Sequence, residues 1–219
     1  HALGMLYERS GNWPFALDML EKEAQAAGPT PEAVELYHRM GKINEDMLID
    51  PASAKRCYQE ALKIDPAYLP CIRALKGIFE IEKDYGQYEK ALIEEAKQTE
   101  EPTAKSRAMY EVARYFSESK DDKDTATGYF EEALRLVPDS LEAARPLADI
   151  YIAKENWEGG EWMLTIVTRQ MSQIASEEPD NHELTKELCR QFYRLGYVGE
   201  KLGKKDRALV VRGFVDVNR

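Results

Sequence analysis

Residues capable of catalytic or metal-binding chemistry are few and scattered. The histidines are His1, His38 and His182, and none has a cysteine or aspartate at a spacing that would make a nucleophile and base. The HExxH pair that holds zinc on one helix face is absent. Cys57, Cys71 and Cys189 form an odd, sparse set without CxxC spacing, which is neither a disulfide framework nor a zinc site. They read as reduced, mostly buried thiols. Tyr85-Gly86-Gln87-Tyr88 and Trp157-Glu158-Gly159-Gly160 read as turn or crossing sequences, and no GxxxxGK[ST] phosphate loop occurs. The acidic run from Lys120 to Asp124 lacks the loop glycine and closing glutamate of an EF-hand, so it reads as a solvated turn. Glu94-Glu95 and Glu131-Glu132 read as exposed helix faces. With no convergent nucleophile, base or metal cluster, a stand-alone enzyme is the least favoured class, and no cofactor is expected.

The bulk properties narrow the class further. The chain has 219 residues, 43% hydrophobic and 32% charged, with 30 basic against 40 acidic side chains and a net charge of −10. The isoelectric point is near 5.0 and the mean hydropathy −0.57. An acidic balance disfavours nucleic acid as partner, because phosphate neutralisation needs a positive excess. No run approaches eighteen apolar residues, so no membrane span is expected. No basic segment followed by an apolar one marks a secretory signal. The first residue is His1 rather than Met, so the chain is expected to be a processed or excised piece of a longer protein. Cytoplasm is the default compartment, with a periplasm also compatible.

The elements that position these residues are helical. ALDMLEKEAQAA, AKRCYQEALKI and ELTKELCRQFYRL are dense in strong helix formers. Leu17, Leu20 and Ala24 share one face at helical spacing, as do Cys57, Ala61 and Ile64. No run alternates strictly, so no strand is expected. Helix starts fall at Thr30-Pro31, Asp50-Pro51, Thr103, Ser140 and Asn181, where a capping side chain stands beside proline or a small residue. The punctuation is periodic. Pro66, Pro102 and Pro138 are 36 residues apart and Pro179 follows after 41. Ala54, Ala91, Ala126 and Gly160 form a second series, spaced 37, 35 and 34. A period of this length means stacked helical hairpins.

These residues resemble the tetratricopeptide repeat, a family of antiparallel A and B helices that cross closely at small residues. The first repeat carries Leu3, Gly4 and Tyr7 in helix A and Ala16 and Leu20 in helix B. The second carries Met40, Gly41, Ala54, Tyr58, Ala61 and Pro66, and the fourth Met109, Val112, Ala113, Phe116, Ala126, Phe130, Ala133 and Pro138. The fifth fits through Leu147, Ala148, Tyr151, Gly160 and Leu164. The third has Ile72, Leu75 and Phe79, but Lys76 stands where a small residue belongs, and three residues are inserted around Asp84. The sixth has Phe192, Leu195, Gly196 and Ala208, with Gly199 and Arg212 departing from the pattern. The resemblance implies an all-α, right-handed superhelical solenoid of antiparallel helix pairs, about twelve helices in one domain over 1–219. The approximate repeats are 1–28, 31–66, 67–102, 103–138, 139–178 and 180–219.

The resemblance also implies where a ligand sits, since the A helices of this family line a concave groove. Position 5 of helix A carries His38, Arg73, Tyr110, Arg145 and Tyr193, and position 9 carries Lys42, Gly77, Arg114, Asp149 and Tyr197. Arg107 joins from position 2. The implied partner is a protein or peptide of acidic character. Its carboxylates would meet Arg73, Arg107, Arg114 and Arg145, with Tyr110, Tyr193 and Tyr197 as flat contacts and His38 and Lys42 on the same row. The Lys/Asn pair with which chaperone-adaptor members grip a Glu-Glu-Val-Asp terminus is missing. The fifth repeat's B helix reads as overlong, running about 20 residues from near Asn156, with Ile166, Val167, Met171 and Ile174 expected to pack on the next helix. Leu209 to Val217 is too apolar for a capping end. The favoured function is a non-catalytic protein-interaction scaffold. The alternatives are a regulatory module of a larger enzyme or sensor, and self-association through the terminal repeats.

Overall fold

The computed structural model describes residues 2–204. The sixth repeat's Ala208 and Arg212, and the apolar stretch from Leu209 to Val217, lie outside the described residues, as does His1. Eleven α-helices and no strand occur among the described residues. They fall into two units. The first holds α1 (Ala2–Arg9), α2 (Trp13–Ala27), α3 (Pro31–Asp46), α4 (Pro51–Ile64), α5 (Leu69–Glu82) and α6 (Tyr85–Gln98). The second begins at Glu101 and holds α7 (Pro102–Ser119), α8 (Lys123–Leu136), α9 (Leu141–Ala153), α10 (Trp157–Glu177) and α11 (His182–Lys201).

Most helices begin where a side chain offers the first turn an acceptor; α2 and α5 start without one, each with proline in the first turn instead. Thr30, Asp50, Ser140 and Asn181 take the backbone N–H three residues on, as their types require. The start expected at Thr103 is instead capped by Glu101, whose carboxylate accepts from the N–H groups of Thr103 and Ala104 at 2.9 and 2.5 Å. Pro102 fixes that start, because proline without an N–H fits the first helical position. Asp122, inside the acidic run, caps α8. Asp84 and Asn156 do the same for α6 and α10.

Small residues sit at the helix crossings. Ala16, Ala54, Ala113, Ala126 and Ala148 are fully buried. In the first unit, Leu20, Leu36, Met40 and Ile43 join α2 to α3, while Tyr58, Leu75, Ile78 and Phe79 join α3 through α5. Gly41 shows why bulk is excluded there. A Cβ on Gly41 would stand 2.2 Å from Cε1 of the buried Tyr58 ring, whose hydroxyl donates to Glu45 at 2.6 Å. In the second unit, α10 runs 21 residues and buries Ile166, Val167 and Met171, in contact with α9 and α11, while Ile174 is exposed.

Lys76, the departure in the third repeat, has a structural counterpart. Its ammonium donates to Oε2 of Glu95 at 2.5 Å, and Arg73 Nε donates to Oε1 at 2.8 Å. Glu95 is buried, which corrects its assignment to an exposed helix face. Charge pairing on α5 explains how a carboxylate enters the interior of α6: the burial penalty is offset by two cationic donors.

Candidate functional site

In the first unit, three of the expected ligand contacts engage the chain itself. His38 packs against Tyr58 and Tyr68, ring centroids 5.9 and 5.7 Å apart. Burial, and then the charge of Lys42, push its imidazole below the ordinary histidine value, so it is neutral near pH 7. Lys42 pairs with Asp46 one turn on, at 3.2 Å. Arg73 is bound to Glu95. Burial alone would raise the Glu95 carboxyl, but the hydrogen bonds and charges of Lys76 and Arg73 outweigh it and hold it below the usual glutamate range.

The second unit holds the other six. On α7, Arg107, Tyr110 and Arg114 recur at three- and four-residue steps and share one face. Arg107 and Arg114 are exposed and make no ion pair or hydrogen bond among the described residues. They stand seven residues apart, about 10 Å along the axis. Tyr110 is half-buried between them, its ring 5.9 Å from Phe130 on α8. Arg145 on α9 is committed: it donates to Glu187 on α11 at 3.0 Å and touches Met171 Sδ at 3.7 Å. Arg194 on α11 returns the contact by pairing with Asp149 on α9. Tyr193 and Tyr197 lie one turn apart on α11, 60% and 44% exposed.

Other surfaces escaped the sequence reading. A cleft of ≈ 460 Å³ opens among α2, α3 and α4, lined by Leu17, Tyr37, Met40 and Cys57, with Glu21, Arg56 and Glu60 among its polar walls. Trp157, at the first position of α10, meets Tyr197 edge-on, and Lys201 lies over both rings. No local pattern joins residues forty apart. Of the three thiols expected to be mostly buried, Cys71 is buried while Cys57 and Cys189 are half-buried; burial pushes the Cys71 thiol up to about 12 and also raises Cys57. Among the described residues, no group of three or more His, Cys, Asp or Glu is placed to hold a metal ion, and no helix is long and apolar enough to cross a membrane.

Comparison with solved structures agrees with this architecture. The chain superposes on YrrB, described as a TPR protein with an unusual peptide-binding site, with a TM-score of 0.53 at 11% identity over 91% of this chain and 92% of that one. The fold is tetratricopeptide-like. MamA matches with a TM-score of 0.51 at 17% identity, covering 86% of this chain and 93% of its own. A tetratricopeptide repeat protein from Parabacteroides merdae gives 0.51 at 13% identity, covering 98% and 90%. No family model and no curated protein sequence matches the chain.

Proposed function

We propose that this chain is a non-catalytic protein-interaction scaffold that binds an acidic peptide or protein segment on the exposed A-helix faces. The observation that carries the reading is the pair Arg107 and Arg114. Both guanidinium groups are exposed and without an ion pair among the described residues, on one face of α7, in a chain whose net charge is −10. A guanidinium matches a carboxylate bidentately, so two of them about 10 Å apart select a ligand with two separated acidic groups. Tyr110 between them and the exposed Tyr193 and Tyr197 offer rigid contact area. In the same unit, Arg145 takes a smaller part because it already pairs with Glu187, while His38, Lys42 and Arg73 belong to the first unit, where each packs or pairs within the chain. The tetratricopeptide-like fold of a peptide-binding protein such as YrrB is consistent with this role.

The test is fluorescence anisotropy with an acidic peptide library, comparing wild type with Arg107→Glu/Arg114→Glu. Neither side chain supports the fold, so the variant keeps its helical spectrum. Acidic peptides are expected to bind the wild type, weaken as salt rises, and lose about tenfold or more in the variant, the equivalent of about 1.4 kcal/mol. Binding of the same peptides at unchanged affinity would sink the electrostatic reading.

A further inference from the structure

Lys201 lies in a corner made by two aromatic rings. Its Nζ is 5.6 Å from the centre of the Trp157 ring and 5.4 Å from that of Tyr197. The two rings are 6.1 Å apart and inclined at 79°. The elements force this meeting. Asn156 caps α10 by accepting the Gly159 N–H at 3.0 Å, which starts the helix at Trp157. On α11, Tyr197 and Lys201 are four residues apart and share a face. Contact between α10 and α11 then brings the indole to that face.

An aromatic face carries negative quadrupole density and attracts a cation within about 6 Å. Two faces near a right angle attract one from two sides. Among the described residues the corner is open, since Tyr197 is 44% exposed and Lys201 itself is exposed. A primary ammonium is strongly hydrated, so at an open corner it gives up little of its water and is held weakly. A methylated ammonium has fewer N–H groups to desolvate and spreads its charge over methyl groups that fit a ring face. We infer that Trp157 and Tyr197 form a recognition site for an alkylammonium group carried by a lysine of a partner segment, held best when that lysine is methylated, with Lys201 as the resident occupant. This inference shares Tyr197 with the acidic-peptide reading but does not depend on Arg107 or Arg114, so loss of one activity leaves the other testable.

The experiment uses the full chain and NMR of the Trp157 indole N–H, titrated with Nα-acetyl-Nε-trimethyllysine amide. The neutral tert-butyl isostere, with carbon in place of the charged nitrogen, and the unmethylated lysine amide serve as comparison probes. The trimethyl probe is expected to give a saturable shift and the isostere none, with the lysine amide weaker than the trimethyl form. Lys201→Gln removes the tethered competitor and is expected to tighten binding roughly two- to five-fold, the equivalent of one exposed cation–π contact. Tyr197→Leu, at an exposed position, is expected to abolish the response while leaving the helical spectrum intact. The inference is overturned if neither wild type nor Lys201→Gln saturates, if the neutral isostere binds as well, or if Tyr197→Leu leaves the response unchanged. Equal binding of the lysine amide would remove the preference for methylation.

Discussion

At the scale of single residues, Glu95 and Gly41 decide most. The Glu95 carboxyl is held below its ordinary value by Lys76 and Arg73, against the opposing effect of burial. A depressed folded-state pKa gives stabilisation that is complete above the unfolded glutamate value, about 4.3, and is lost as pH falls through the lower folded value. Glu95→Gln is therefore expected to lower unfolding free energy by about 1–3 kcal/mol at neutral pH. Urea unfolding at a series of pH values should show the gap from wild type closing below about pH 4. Gly41→Ala tests the crossing itself. Alanine gains about 1 kcal/mol of helix propensity, yet its methyl collides with a ring that is buried and hydrogen-bonded. Overpacking of about 1–3 kcal/mol should dominate, seen as a lower denaturation midpoint. A midpoint at or above that of wild type would show that Tyr58 can step aside.

At the scale of elements, α10 shows how far apolar spacing can be trusted. Its extension beyond the usual repeat length was legible, because Ile166, Val167 and Met171 continue the helical period after Gly160. The structure divides that stretch into two faces: Met171 is 2% exposed and Ile174 37%. Met171→Ala is expected to cost about 2–5 kcal/mol, whereas Ile174→Ala should stay within about 0.5 kcal/mol of wild type. Equal effects in thermal melts would mean that the extension packs differently. Helix starts were mostly readable too, since a cap and its helix are neighbours in sequence. Glu101 was missed because glutamate is an uncommon cap, and its role depends on Pro102 setting the first turn.

At the scale of the whole chain, the repeat architecture was visible in the spacing of alanines and prolines, because every hairpin solves the same packing problem locally. The site was less visible. The sequence places Arg145 on a helix face but not Glu187, forty-two residues away, which takes up its guanidinium. Likewise Trp157 gave no hint of Tyr197 and Lys201, which only the pairing of α10 with α11 assembles. The two core clusters described in the first unit lie wholly within it. Residues 1–100 expressed alone are therefore expected to keep a helical circular dichroism spectrum and a cooperative melt. A featureless, non-cooperative melt would count against that independence.

The Lys76–Glu95 pair also constrains how this sequence could drift toward a regular repeat. Placing alanine at 76 first would strip a cation from a carboxylate that α6 holds inside. Neutralising Glu95 first is gentler, since a lysine's flexible stem can carry its head out to water. Ancestral reconstruction or consensus engineering of this stretch therefore has a preferred order, acid before base, and the reverse path crosses a less stable intermediate.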